Sequence, residues 1–159
     1  MLLTRRRKQR PSWRTCDLTD RPLISHIGIA VTDLEAAIST YELLLGCKPT
    51  IVTEFPDQKV KIAMFSPSGA DSGTGGRIEL LVGTDQDSPI SRFVDKRGQG
   101  LHHTCIYVDD IEATLASLRA AGVRLIDQTP RIGVEGNKIA FVHPEGAHGV
   151  LIELEERPK

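Results

Sequence analysis

The 159-residue chain is short of aromatic side chains, which make up 4% of it, and of cysteine, of which it has three. With so few rings, the core must be built from Val, Ile, Leu and Ala. Cys16, Cys47 and Cys105 are odd in number and none belongs to a CxxC pair, so they say nothing of a metal and fit a reducing, intracellular setting. No apolar run approaches the roughly 20 residues that a bilayer span needs, which excludes a transmembrane helix. Net charge is scarce as well: 20 Lys and Arg against 21 Asp and Glu leave −1, a poor basis for nucleic-acid binding. What the chain does have, 40% hydrophobic and 26% charged residues, is ordinary for a globular protein of one compact unit or of two small modules sharing a core.

The charge is unevenly placed. Seven of the bases (Arg5, Arg6, Arg7, Lys8, Arg10, Arg14, Arg21) and two of the acids (Asp17, Asp20) fall in residues 1–22, so the remainder carries 13 bases against 19 acids, a net charge of −6. The head lacks apolar periodicity and is expected to be a disordered extension. The absence of an apolar stretch after the basic run excludes a secretory signal. A leader without function and a cytoplasmic location is the plain reading, and an Arg-rich transit peptide directing the chain to the mitochondrial matrix is the alternative.

The rest of the chain repeats itself. His26–Ala37 (HIGIAVTDLEAA) and His103–Thr114 (HTCIYVDDIEAT) align at an offset of 77, pairing Ile29 with Ile106, Val31 with Val108, Asp33 with Asp110 and Glu35 with Glu112. Each segment reads as a strand running into a helix that an Asp caps, with Gly46 and Gly122 placed to end the helices. Strands are expected at Lys48–Thr53, Val60–Phe65 and Arg77–Val82 in the first half, and at Val123–Ile126, Lys138–Val142 and Val150–Leu154 in the second. Each half is then β-α-β-β-β: module 1 about 23–84, a linker helix within 88–99, and module 2 about 100–155, together one domain over 23–155. Some 60 residues make too small a core alone, so the modules should pack together or pair with another chain.

Alternate residues of a strand face opposite sides of a sheet. Ile27, Ile29 and Val31 would lie under the helix, leaving His26, Gly28 and Ala30 opposite. In the second module His103, Cys105 and Tyr107 take the same position, while His102 points the other way without a repeat partner. The last strands match as Arg77–Leu81 (RIELL) and Leu151–Glu155 (LIELE), placing Glu79 opposite Glu153. A mid-strand carboxylate in an apolar run needs a partner, because burying an unpaired charge is costly. Two His and two Glu on equivalent strands form a candidate site for one divalent metal ion, and imidazole plus oxygen donors suit Co, Mn, Ni, Zn or Fe.

This pattern of paired βαβββ modules, one His and one carboxylate in each, resembles the vicinal oxygen chelate superfamily, which includes glyoxalase I. Within it, Ser88-Pro-Ile90, Gly100-Leu-His-His103, Pro130-Arg-Ile-Gly133, Phe141-Val-His-Pro144 and His148–Leu154 (HGVLIEL) resemble the methylmalonyl-CoA epimerase family. The resemblance covers about Leu23 to Glu155. It implies an α+β fold with a curved, cleft-bearing mixed sheet, metal ligands at His26, Glu79, His103 and Glu153, and one divalent ion, Co2+ before Mn2+, Ni2+ or Zn2+. It also implies a homodimer acting on a small acyl-CoA substrate, with neither nucleic acid nor membrane as partner. The implied reaction interconverts (R)- and (S)-methylmalonyl-CoA by removing and returning the C2 proton through a metal-stabilised enolate, with Glu153 as one base.

In some family members a Glu within the strand matching Val60–Phe65 is a second acid/base candidate; here Ile62 stands at that position, beside Lys61. Water, Asp57 and Tyr107 are left as carriers for the opposite face. Ser88, Arg131, Lys138, Lys61, His143, His148 and Cys105 are lesser candidates, each with a structural alternative. Rival readings within the same fold are a glyoxalase I-type lactoylglutathione lyase, an extradiol dioxygenase and a non-catalytic drug-binding resistance protein. The last two fit a complete four-residue ligand set less well.

Overall fold

The computed structural model describes residues 23–67, 76–133 and 135–157, and the extension expected to be disordered, 1–22, lies outside them. The first half runs β1 (Ile24–Ala30), α1 (Leu34–Leu45), β2 (Ile51–Phe55), β3 (Val60–Phe65) and β4 (Arg77–Gly83). After α2 (Pro89–Arg97), the second half repeats the order as β5 (Gly100–Val108), α3 (Ile111–Ala120), β6 (Arg131–Ile132), β7 (Lys138–Val142) and β8 (Ile152–Glu156). Side chains set the helix boundaries. Asp33 and Asp110 accept hydrogen bonds from the free amides of Ala36 and Ala113 at 3.0 and 2.9 Å. Ser88 does the same for α2, where Pro89 occupies a position whose amide has no helical partner to lose. Helix α1 ends at Gly46, whose φ of 66° most other residues would resist.

All eight strands form one curled mixed sheet in the order β2-β3-β4-β1-β5-β8-β7-β6. The central strands β1 and β5 are antiparallel, and each has a parallel outer neighbour, β4 and β8 respectively. The arrangement is therefore symmetric about the β1–β5 pair, as an internal repeat requires. Among the described residues no helix is long and apolar enough to cross a membrane.

One face of the sheet carries α1 and α3. Val31, Leu34, Ala63, Phe65 and Leu80 pack with α1, while Ile111, Leu115, Leu125, Ala140, Val142 and Leu154 form the matching cluster around α3. Burying such aliphatic side chains contributes about 1.5–3 kcal/mol each. Ile90 of α2 packs instead with Ala30, Val60, Ile62 and Leu81, which alternate along their strands with the α1-facing residues.

The second half departs from the expected strand layout. Segment 123–126 makes only a single bridge, Leu125 to Val142, and the ladder strand beside β7 is the two-residue β6. Asp127 explains the break: its carboxylate takes the Phe141 amide at 2.8 Å, and Pro130 has no N–H with which to resume pairing. Strand β8 starts two residues later than Val150, because a helical turn at Pro144–Ala147 and Gly149 at φ 99° lengthen the approach to it. Strand β2 likewise spans 51–55 rather than 48–53.

Candidate metal centre

Strand register brings the four expected ligands together. Gly28 of β1 lies beside Glu79 of β4 on one side and His103 of β5 on the other, and Glu153 of β8 is paired with Cys105 of β5. His26, Glu79, His103 and Glu153 thus come from four adjacent strands, and all four are buried. His26 Nε2 stands 3.1 Å from His103 Nε2. A Glu153 oxygen is 3.4 and 3.1 Å from these two nitrogens, and a Glu79 oxygen is 3.6 Å from each. Donors held about 2.1 Å from a common ion stand roughly 3.0–3.4 Å apart in octahedral or tetrahedral arrays, so His26, Glu79 and His103, whose donor atoms all lie within 4.8 Å of one another, form a group that could hold a divalent metal, with Glu153 against both imidazoles.

The electrostatics are those of a crowded, dry site. Burial holds the Glu79 carboxyl above the usual range, although His26 and His103 oppose the shift. Burial acts on Glu153 in the same direction, but the His103 and His26 rings, which hydrogen-bond it when protonated, outweigh it and hold this carboxyl well below its ordinary value. His26 is raised: burial disfavours its charge, and the carboxylates of Glu153 and Glu79 more than compensate. His102, half-buried, is lowered to about 4 by burial and by His103.

Gly28 is what lets His103 into the centre. A Cβ at Gly28 would lie 2.7 Å from His103 Nε2 and closer still to its Cε1 and Nδ1. The ring cannot swing aside and keep its place among the other ligands. Gly28→Ala should therefore weaken Co2+ binding at least about 100-fold, a loss beyond the usual range for an outer-shell change. Chelator competition on the folded variant measures it, and unaltered affinity would contradict this role for Gly28.

A narrow cavity of about 80 Å3 opens over the quartet. One wall is apolar, made by Val60, Ile62 and Met64 of β3, and Ile62 is only 1% exposed. Glu135 and Asn137 line the other side. Asp57 is exposed and is not part of the lining, although its neighbour Gln58 is, and Tyr107 is fully buried beneath the cavity against Arg77. The lesser candidates take structural positions: Ser88 caps α2, and His143 accepts the Glu145 amide. Lys61, Arg131 and Lys138 pair with Glu35, Asp127 and Glu112.

Beneath the quartet lies a polar layer that sequence reasoning missed. Arg77, 2% exposed, donates two hydrogen bonds from Nη1 to Glu135 at 2.8 and 2.7 Å, and from Nη2 reaches Ser25 at 2.7 Å and Tyr107 at 2.9 Å. Its Nη2 is also 3.4 Å from Glu155, which in turn accepts from Ser25 and Asn137. His26, Cys105 and Glu155 form a second group close enough to share an ion. Burial, with Glu153 and Glu155 nearby, pushes the Cys105 thiol far up, so no thiolate is on offer, and Glu155 is already held by Arg77 and Ser25. His102 also proves to have a repeat partner: Ser25 precedes His26 as His102 precedes His103, and each touches the Nδ1 of its neighbour, at 3.1 and 3.0 Å.

The model of the Glyoxalase/Bleomycin resistance protein/Dioxygenase superfamily matches residues 25–141. The chain belongs to this superfamily. Among its relatives, the uncharacterised protein YqjC of Bacillus subtilis is 38% identical over 82% of this chain and 89% of its own. The ethylmalonyl-CoA/methylmalonyl-CoA epimerase of Cereibacter sphaeroides is 36% identical over 84% of this chain and 96% of its own. A solved methylmalonyl-CoA epimerase in complex with methylmalonyl-CoA and NH4+ superposes with a TM-score of 0.78 at 35% identity, covering 85% of this chain and 94% of that one. The superfamily membership accounts for the curled sheet and for the symmetric placement of its two halves.

Proposed function

We propose that the chain is a metal-dependent methylmalonyl-CoA epimerase. The observation that carries this reading is the convergence of His26, Glu79, His103 and Glu153 at one point under a narrow cavity, in a chain similar over nearly its whole described length to epimerases of this class. The C2 proton of methylmalonyl-CoA lies between a thioester and a carboxylate and is only weakly acidic in water. His26, Glu79, His103 and Glu153 would hold a divalent ion, which would supply Lewis acidity that favours the enolate.

The chain's own residues do the rest. Glu153, held ionised, stands at the cavity floor as the base that takes the C2 proton. The β3 wall holds the substrate without competing for that proton, since Val60, Ile62 and Met64 cannot bind one. Inversion then needs a proton delivered to the face opposite Glu153, and with that wall unable to carry one, solvent water supplies it; solvent hydrogen enters C2 with every inversion, and also without inversion whenever Glu153 exchanges its proton with solvent before returning it.

Incubating one epimer of methylmalonyl-CoA with the protein in D2O tests this. The expected result is inversion, with deuterium also accumulating in the epimer supplied. Absence of both, with turnover of the glutathione hemithioacetal of methylglyoxal instead, would replace the reading with that of a lactoylglutathione lyase.

A further inference from the structure

The register between β1 and β5 slips between Ile24 and His26, and this irregularity brings consecutive side chains, Ser25 and His26, into the same buried region. Ser25 is fully buried, and its hydroxyl lies near Glu155 Oε2 at 2.8 Å, Arg77 Nη2 at 2.7 Å and His26 Nδ1 at 3.1 Å, while the neighbouring Cys105 thiol gives its own proton to Glu155 Oε2 at 3.6 Å. A hydroxyl has one proton and two lone pairs. Glu155, as a carboxylate, can only accept, and a guanidinium can only donate. The Ser25 proton therefore goes to Glu155, one lone pair takes the Arg77 N–H, and the second faces His26. Only a His26 with its proton on Nδ1 completes that arrangement.

We infer that Ser25 is a positioning residue for the metal centre: its hydroxyl fixes His26 in the Nδ1–H tautomer, leaving Nε2 unprotonated and aimed at the ion. The inference rests on the metal-dependent reading above. The second half has no equivalent constraint, because His103 Nδ1 faces His102 Nδ1, a group that can donate or accept. The two halves thus hold their imidazoles differently at the same repeat position. His26 is clamped through Ser25 to Glu155 and Arg77, whereas His103 is held by an adaptable partner.

Two readouts test this on the full chain. Nitrogen-15 NMR of the metal-free protein, recorded at a pH high enough that the ring shifts have stopped changing, reports each tautomer directly. Wild type and Ser25→Thr, which keeps the hydroxyl, should show His26 as Nδ1–H, and Ser25→Ala should lose that preference. Chelator competition with Co2+ should then show Ser25→Ala weakened about 10- to 100-fold, as expected on removing a ligand's outer partner, with Ser25→Thr closer to wild type. A wild-type His26 in the Nε2–H form, or Ser25→Ala with wild-type Co2+ affinity, would overturn the inference. Failure of wild type to bind Co2+, with the Nδ1–H tautomer intact, would instead overturn the metal reading and leave the tautomer assignment standing.

Discussion

Glu153→Gln is expected to lower C2 proton exchange by about 100- to 10,000-fold at saturating Co2+, the range associated with loss of a general base. The substitution keeps the shape of the side chain and an oxygen that can still face the ion. His26, Glu79 and His103 are untouched, so Co2+ continues to bind, though less tightly. Measuring exchange and metal content on the same sample separates the two roles of Glu153. Loss of exchange with metal retained supports Glu153 as the base. Full exchange at saturating metal would reduce it to a ligand, and another cavity carboxylate, Glu135, would become the candidate.

Arg77→Met should destabilise the fold by about 3–5 kcal/mol, the cost of stripping the partner from buried charges. Arg77 is the cation that neutralises Glu155 and binds Glu135, and it ties together Ser25 of β1, Tyr107 of β5 and Glu155 of β8. Removing it leaves Glu155, which is buried, with neutral partners in Ser25, Cys105 and Asn137. Urea unfolding measures the effect, with a fall in Tm of roughly 10–20 °C as the thermal counterpart. Lys61→Met, which breaks a pair with exposed Glu35, is the control and should cost about 0–1 kcal/mol. A loss for Arg77→Met no larger than the control would show that the polar layer does not hold the sheet centre together.

The contrast between these residues explains what the sequence made legible. The quartet was readable because repetition doubled each weak signal: a lone strand His or Glu is ordinary, but His26 with His103 and Glu79 with Glu153 recur at matching positions of repeated strands, and alternation assigns all four to one face. The Asp33 and Asp110 caps were readable for the same reason. Arg77 was not, since its repeat counterpart is Leu151, and its partners Glu135 and Glu155 lie 58 and 78 residues away. Ser25 was passed over because it precedes the repeated segment and resembles His102 only in position. In the second half, β-propensity at Val123–Ile126 was overridden where the Phe141 amide donates a hydrogen bond to the Asp127 side chain. Ile62 could be read as a departure from some family members, and its burial under Ile90 of α2 gives the departure a physical role as part of the core.

The central claim is that one divalent ion, held by the quartet, is required for proton exchange at C2. Titrating chelator-stripped protein with Co2+ while following deuterium entry into methylmalonyl-CoA tests it most directly. Exchange should be absent from the stripped protein, rise to saturation at one equivalent of Co2+ per chain, and fail to recover in His26→Ala or His103→Ala at the same metal concentration. Exchange that survives stripping, or that Co2+ restores fully in both His variants, would contradict the account.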